Sequence, residues 1–280
     1  MLSRPRDAVL AAAGCALTLT VGWALALHVG AARWLDAAAL QGFVGLRRPA
    51  VDPPAQALAG LGDAIPLILL GVALVAWALA RGRPRTALAV PVVLAGAELT
   101  TQVLKPLLAD PRLCHCLADA RIEAASFPSG HATGAMALAL CAVLVAPARR
   151  RPLAAAVGAA VAVGSAYALM TMGWHYPSDV LAGFLVAATW TLLAVAGLRA
   201  ADARWPARSG REVALRLGQA MAPTAVMGAL GGLAVVGLVA LRPEQVASYV
   251  QAHTTFVAGA AAVAATAAAI SAGLALALRR

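Results

Sequence analysis

Charge is what this chain has little of. Asp, Glu, Lys and Arg make up 12% of its 280 residues, about half of the ~25% found in soluble globular domains. So few charged groups cannot clothe a soluble core of this size. Disorder is excluded as well, because 62% of the residues are hydrophobic and a chain that apolar does not stay solvated. Aromatic residues are sparse, at 5%. No basic stripe with interleaved stacking rings accompanies the net charge of +10, which argues against nucleic-acid binding. Lysine is nearly missing: 21 of the 22 basic residues are Arg, and the single Lys is Lys105. There are four cysteines. Cys15 and Cys141 lie in apolar runs and read as small packing residues. Cys114 and Cys116 flank His115 too tightly for the usual zinc spacing, so no metal is expected there; free thiols or a disulfide to a partner outside the chain fit that pair better.

What the chain has is long apolar stretches. A span of the ~30 Å hydrocarbon core of a bilayer needs about 20 residues. Eight stretches qualify, near 8–32, 63–80, 86–104, 131–147, 152–173, 179–198, 218–241 and 254–277, the fourth at the short limit. Small residues dominate them, which lets helices approach closely in lipid. The expected fold is all-α, a polytopic membrane helix bundle. A polar segment over 200–217 reads as a linker, dividing a six-helix domain (1–199) from a two-helix C-terminal hairpin (218–280). The first stretch is too long for a typical signal-peptide core and ends without a small-x-small cleavage site, so it reads as an uncleaved anchor.

Counting basic residues between these spans separates two sets. Alternate loops and the termini hold 15, and the intervening loops hold 7. The positive-inside rule then places both termini in the cytoplasm of a multi-pass protein of the cell membrane. Net positive charge in such loops serves topology and contact with anionic lipid headgroups.

Three polar clusters interrupt the apolar pattern, and the span count places all three on the extracytoplasmic side. The first runs from Lys105 to Arg112. The second is Ser126-Phe127-Pro128-Ser129-Gly130-His131, at the start of the fourth span. The third is His175-Tyr176-Pro177-Ser178-Asp179, at the start of the sixth. Lys105 and Arg112 supply fixed positive charge, and Arg grips phosphate through two parallel N–H groups. Ser129 suits an N-cap and Gly130 admits a ligand close to the backbone. The free amides of that helix start favour an anion. His175 and Asp179, four apart, share a helical face or a turn, and a carboxylate on one ring nitrogen makes the other a better nucleophile. Two histidines beside a phosphate cradle point to phosphoryl transfer, one attacking phosphorus and one protonating the leaving oxygen.

These residues resemble the type 2 phosphatidic acid phosphatase family, which includes bacterial undecaprenyl pyrophosphate phosphatases and shares its site with vanadium haloperoxidases. The family signature is Lys-x6-Arg-Pro, then Pro-Ser-Gly-His, then Ser-Arg-x5-His-x3-Asp. Lys105 and Arg112 match the first part, Pro128 to His131 the second, and His175 and Asp179 the third, over about residues 1–200. The resemblance implies that His175 becomes a phosphohistidine, that Asp179 orients it and that His131 protonates the leaving group. It implies that Lys105, Arg112, Ser129 and Gly130 hold the phosphate, that neither metal nor other cofactor is required, and that the substrate is a lipid phosphate or diphosphate. The chain departs from the pattern where Leu113 replaces Pro and where Ala168-Leu169 replaces Ser-Arg. The missing guanidinium removes a charge-assisted contact worth ~1.5–3 kcal/mol. Arg121 is a candidate substitute. The alternative to an enzyme is a phosphatase-like protein that binds lipid phosphates with reduced or lost turnover. A transporter would need more polar residues in mid-span. Glu98 lies inside the third span and is either functional or paired or protonated there. The outer loop 33–62 is a candidate lid with Trp34 as an interfacial anchor.

Overall fold

Proline at the first helical turn forgoes an N–H that would have no partner anyway. Pro5, Pro84, Pro152 and Pro177 each open a long apolar run in this way. The computed structural model describes residues 4–110, 122–206 and 217–278. Among these residues every regular element is helical. The α-helices are α1 (Pro5–His28), α2 (Gly30–Val44), α3 (Asp52–Ala59), α4 (Ala64–Ala80), α5 (Pro84–Leu107), α6 (Gly130–Val145), α7 (Arg151–Thr171), α8 (Pro177–Arg204), α9 (Leu217–Leu241), α10 (Pro243–Ala252) and α11 (Thr254–Ala277).

Six described helices are long and apolar enough to cross a membrane: Pro5–His28, Pro84–Leu107, Ala148–Thr171, Pro177–Arg204, Met221–Leu241 and Thr254–Ala277. A bent pair, Asp52–Gly62 with Ala64–Ala80, is a seventh candidate, and Gly130–Val145 is a shorter apolar helix. Each of the eight expected spans thus falls on one of these helices. The protein is an all-α, multi-pass membrane bundle.

α6 is the central helix. Thirteen of its 16 residues are buried, on every face, as expected of a helix enclosed by others. At 1.5 Å per residue it rises about 24 Å, less than the ~30 Å of hydrocarbon. A helix that faces protein all round is free of the requirement to match the lipid. Small residues set the close contacts. A Cβ at Gly158 of α7 would lie 2.8 Å from Ala139 Cβ of α6, and one at Gly96 of α5 would lie 2.5 Å from the Trp190 ring of α8. The Trp190 indole donates to Thr100 Oγ1 at 2.9 Å across the same contact.

Arginines mark one end of the bundle. Arg83 at the start of α5 donates to the Val145 and Leu144 carbonyls at the end of α6, at 2.9 and 3.3 Å. Arg85 reaches Asp202 and the Trp205 carbonyl at the end of α8, at 3.0 and 2.8 Å. Arg151 donates to the Leu278 carbonyl just past α11 at 2.6 Å. These guanidiniums satisfy carbonyls that a helix end leaves open.

Three features differ from the sequence expectation. Residues 33–62 are largely helical, as α2 and α3, rather than loop. α8 continues to Arg204, into the segment expected to be linker; 207–216 lie outside the described residues. The last two spans also behave differently from one another. In α11, Val263 and Ala267 are fully buried, and Tyr167 of α7 donates its hydroxyl to the Ala260 carbonyl at 2.7 Å. The Met221–Leu241 stretch of α9 has none of its span buried. An apolar cavity of about 320 Å³ lies between α1, α6, α8 and α11, beside Cys15, Leu140 and Leu274, toward the arginine end.

Candidate active site

The site forms at the opposite end, around the start of α6. Ser129 has extended backbone, φ −71° and ψ 118°, and its Oγ accepts the Ala132 N–H at 3.3 Å. This is the expected N-cap. The Ser129 N–H donates to the Asp179 carbonyl at 3.0 Å, so the start of α6 is bonded to the first turn of α8. Gly183 permits the approach, since a Cβ there would lie 2.7 Å from the Ser129 carbonyl oxygen and 2.9 Å from Thr133 Oγ1. Thr133 donates to the Ser129 carbonyl at 2.7 Å, and Thr101 of α5 donates to Thr133 Oγ1 at 3.2 Å. The second and third sequence clusters therefore meet.

α5 brings the first cluster. Positions 98, 102 and 105 recur at helical spacing on one face. A Cβ at Gly130 would sit 3.7 Å from Glu98 Oε1, 3.8 Å from Lys105 Nζ and 3.9 Å from Gln102 Nε2. Glycine thus leaves room where an ammonium, an amide and a carboxylate converge on the α6 N-terminus. Gln102 Nε2 donates to Glu98 Oε1 at 2.6 Å, so Glu98 belongs to the polar lining. Arg112 lies outside the described residues, as do Cys114, His115, Cys116 and Arg121.

His175 is placed by a helix end. Gly173 has φ +71°, a conformation costly for other residues. Its N–H donates to the Met170 carbonyl and that of Trp174 to the Leu169 carbonyl, both at 3.0 Å. This pair of bonds is the Schellman arrangement that stops a helix on a left-handed residue, and it ends α7 at Thr171, four residues before His175. His175 is 7% exposed and Asp179 fully buried. His175 Nδ1 lies 3.5 Å from Asp179 Oδ2, which is ion-pair distance rather than a good hydrogen bond, and that nitrogen is buried with no hydrogen-bond partner among the described residues. Asp179 Oδ2 also accepts the Tyr176 N–H at 3.0 Å, so one carboxylate caps α8 and faces the imidazole.

His131, in the first turn of α6, has a partner outside the three polar clusters. Its Nε2 lies 3.0 Å from Asp63 Oδ1, with the side chains 32% and 60% exposed. Asp36 is a second such residue. Its carboxylate accepts the Ser178 N–H at 3.0 Å and the Ser178 hydroxyl at 2.6 Å, tying α2 to the start of α8. Nothing local in the chain announces either contact, because the partners lie 68 and 142 positions apart. The Trp174 ring stands 6.0 Å from that of His131, which places the loop before His175 beside the first turn of α6. Leu169, where the resemblance implies Arg, is fully buried. Trp34, on α2, is 66% exposed.

A family model described as the PAP2 superfamily matches residues 86–202, the segment that holds all three clusters. A crystal structure described as that of the first transmembrane PAP2 type phosphatidylglycerolphosphate phosphatase from Bacillus subtilis is similar in fold. Its TM-score is 0.57 at 20% identity, covering 71% of this chain and 98% of that one. No curated protein matches the chain in sequence. The family match lies on the helices that carry the clusters and the bundle is similar to a PAP2-type fold, so residues 86–202 are a PAP2 superfamily-like segment within a multi-pass membrane bundle.

Proposed function

We propose that the protein is an integral membrane lipid phosphatase that removes phosphate from a lipid monophosphate or diphosphate through a phosphohistidine. The observation that carries this reading is the meeting of Lys105, Gly130 and Asp179 around the first turn of α6, with His131 in that turn and His175 beside the Asp179 carboxylate. His175 attacks phosphorus through Nε2, the nitrogen turned away from Asp179. As the N–P bond forms, the bond to the lipid oxygen breaks, and His131 gives that oxygen its proton. Water then attacks the phosphohistidine, returns a proton to His131 and frees inorganic phosphate. Lys105, the Ser129 hydroxyl, the Gly130 amide and Arg112 hold the equatorial oxygens, where charge is stabilised most. Asp179 holds the His175 ring.

The positive-inside count supports an extracytoplasmic site with both termini in the cytoplasm. The phosphatidylglycerolphosphate named for the similar crystal structure joins phosphatidate, polyprenyl diphosphates and polyprenyl-linked sugar phosphates as candidate substrates. The test is phosphate release by protein purified in detergent, on that panel of lipids with a chelator present. We expect turnover of at least one lipid, abolished in His175→Ala. Full turnover by that variant rules the mechanism out.

A second reading, a lipid-phosphate binder with weak or no turnover, rests on the buried Leu169. Binding of a lipid phosphate without release of phosphate, in the unaltered protein, would favour it.

A further inference from the structure

An aspartate at a helix N-cap normally turns its carboxylate back onto the amides of its own first turn. Asp63 occupies that position before α4, with φ −67° and ψ 155°, yet its side chain makes no cap hydrogen bond. The carboxylate points outward instead, with Oδ1 3.0 Å from His131 Nε2. The chain is built to hold it there. The preceding helix and α4 meet at 58° around residue 63. A Cβ at Gly62 would lie 2.6 Å from His131 Cα, and one at Gly60 would lie 3.2 Å from Asp63 Oδ2. Gly62 thus lets the segment lie flat against the first turn of α6, and Gly60 leaves room for the Asp63 carboxylate.

We propose that Asp63 is a positioning residue for His131, the acid that protonates the leaving oxygen; this rests on the phosphatase reading above. Asp63 accepts the Nε2–H and so fixes the ring, leaving Nδ1–H as the donor to the lipid oxygen. When the P–O bond breaks, that proton and the P–O electron pair end on the lipid alcohol. Asp63 gains no proton. In the second half-reaction water returns a proton to Nδ1 while its oxygen bonds to phosphorus and the P–N bond breaks, its electron pair returning to His175 Nε2. The site then uses two histidine–carboxylate pairs, His175 with Asp179 for attack and His131 with Asp63 for departure.

A role in leaving-group protonation is separable from a merely structural one, because a leaving group that departs as a stable anion does not need the proton. The experiment compares the full-length wild type, Asp63→Asn, His131→Ala and the double variant on phosphatidate and on p-nitrophenyl phosphate. Asp63→Asn should lose about 10-fold or more on phosphatidate, a fraction of what general acid catalysis supplies. It should lose less than about 3-fold on p-nitrophenyl phosphate, and no further activity when His131 is already Ala. Equal losses on the two substrates, no loss on either, or additive loss in the double variant would overturn the proposal while leaving the phosphatase reading intact. Where another lipid of the panel is the better substrate it takes the place of phosphatidate, and a wild type that releases phosphate from no lipid overturns both readings. Melting temperatures of the four proteins, expected to agree within a few degrees because Asp63 is exposed, show that the comparison is between folded enzymes.

Discussion

Ser129 donates its backbone N–H to the backbone carbonyl of Asp179 at 3.0 Å. One hydrogen bond thus couples the proposed phosphate cradle at the start of α6 to the residue of α8 whose carboxylate faces His175. It survives only while the helices stay close, and Gly183 is what keeps them close. Gly183→Ala should push α8 off the start of α6, because its Cβ would meet the Ser129 carbonyl at 2.7 Å and backbone cannot yield as a side-chain tip does. Overpacking of this kind costs roughly 1–3 kcal/mol. Phosphate release should fall at least tenfold, with a melting temperature several degrees lower in detergent. Unchanged activity would show that the spacing does not matter to the site.

Asp179 is asked to do two things, and they can be separated. Asparagine in its place keeps an oxygen for the Tyr176 N–H but removes the charge facing His175. Asp179→Asn should therefore retain most of the stability while losing activity by about 10²-fold or more, as when an orienting carboxylate is neutralised. A circular-dichroism melt alongside a phosphate assay checks both halves. If the melt collapses instead, capping is the larger role.

The membrane fold was readable because a bilayer imposes a length and a polarity that composition reports directly. Lys105, Ser129, Gly130, His131, His175 and Asp179 stood out because polar residues interrupt apolar runs there, and the helices carrying them meet at one end of the bundle. Asp63 and Asp36 did not, since a carboxylate in an outer loop looks the same whether it faces water or an imidazole 68 positions away. Nor did the sequence separate α9 from α11. Both are apolar throughout, and the difference lies in fit: a Cβ at Gly259 of α11 would lie 3.1 Å from Ala39 Cβ of α2 and 3.8 Å from Pro177 Cγ at the start of α8. α2 was read as part of an outer loop, yet its Asp36 accepts the Ser178 N–H and hydroxyl at the start of α8.

Tyr249 of α10 donates its hydroxyl to the Gly42 carbonyl of α2, and Phe256 of α11 packs edge-on to Phe43 at 4.7 Å. The C-terminal segment therefore braces α2, whose Asp36 holds the start of α8. Burial pushes the Tyr249 phenol above its ordinary value near 10, opposed by nearby Arg48. A group raised in the folded protein contributes its stability below the unfolded value and loses it as pH rises through the folded one. Tyr249→Phe should melt lower than wild type at pH 7, by the ~0.5–1.5 kcal/mol of one hydrogen bond. That difference should shrink as pH climbs past 10. A gap that persists or widens there would deny the hydroxyl its role.

Leu169 bears on the choice between a working enzyme and a binder. Its carbonyl accepts the Trp174 N–H in the turn that ends α7, and that bond uses backbone only, so a different side chain at 169 does not disturb the turn. Leu169→Arg restores the residue of the family pattern to a position fully buried in the bundle. A buried guanidinium without an anion is costly, and with a phosphate beside it the charge is matched. The variant should therefore melt lower than wild type in plain detergent and recover when inorganic phosphate or vanadate is added. If the wild type is an enzyme short of one contact, Leu169→Arg should also release phosphate faster, by about 10-fold or more, as a charge-assisted contact of ~1.5–3 kcal/mol allows. Recovery of stability by phosphate with no gain in turnover would identify a site that binds the group without reacting. No recovery at all would mean that residue 169 does not reach the anion.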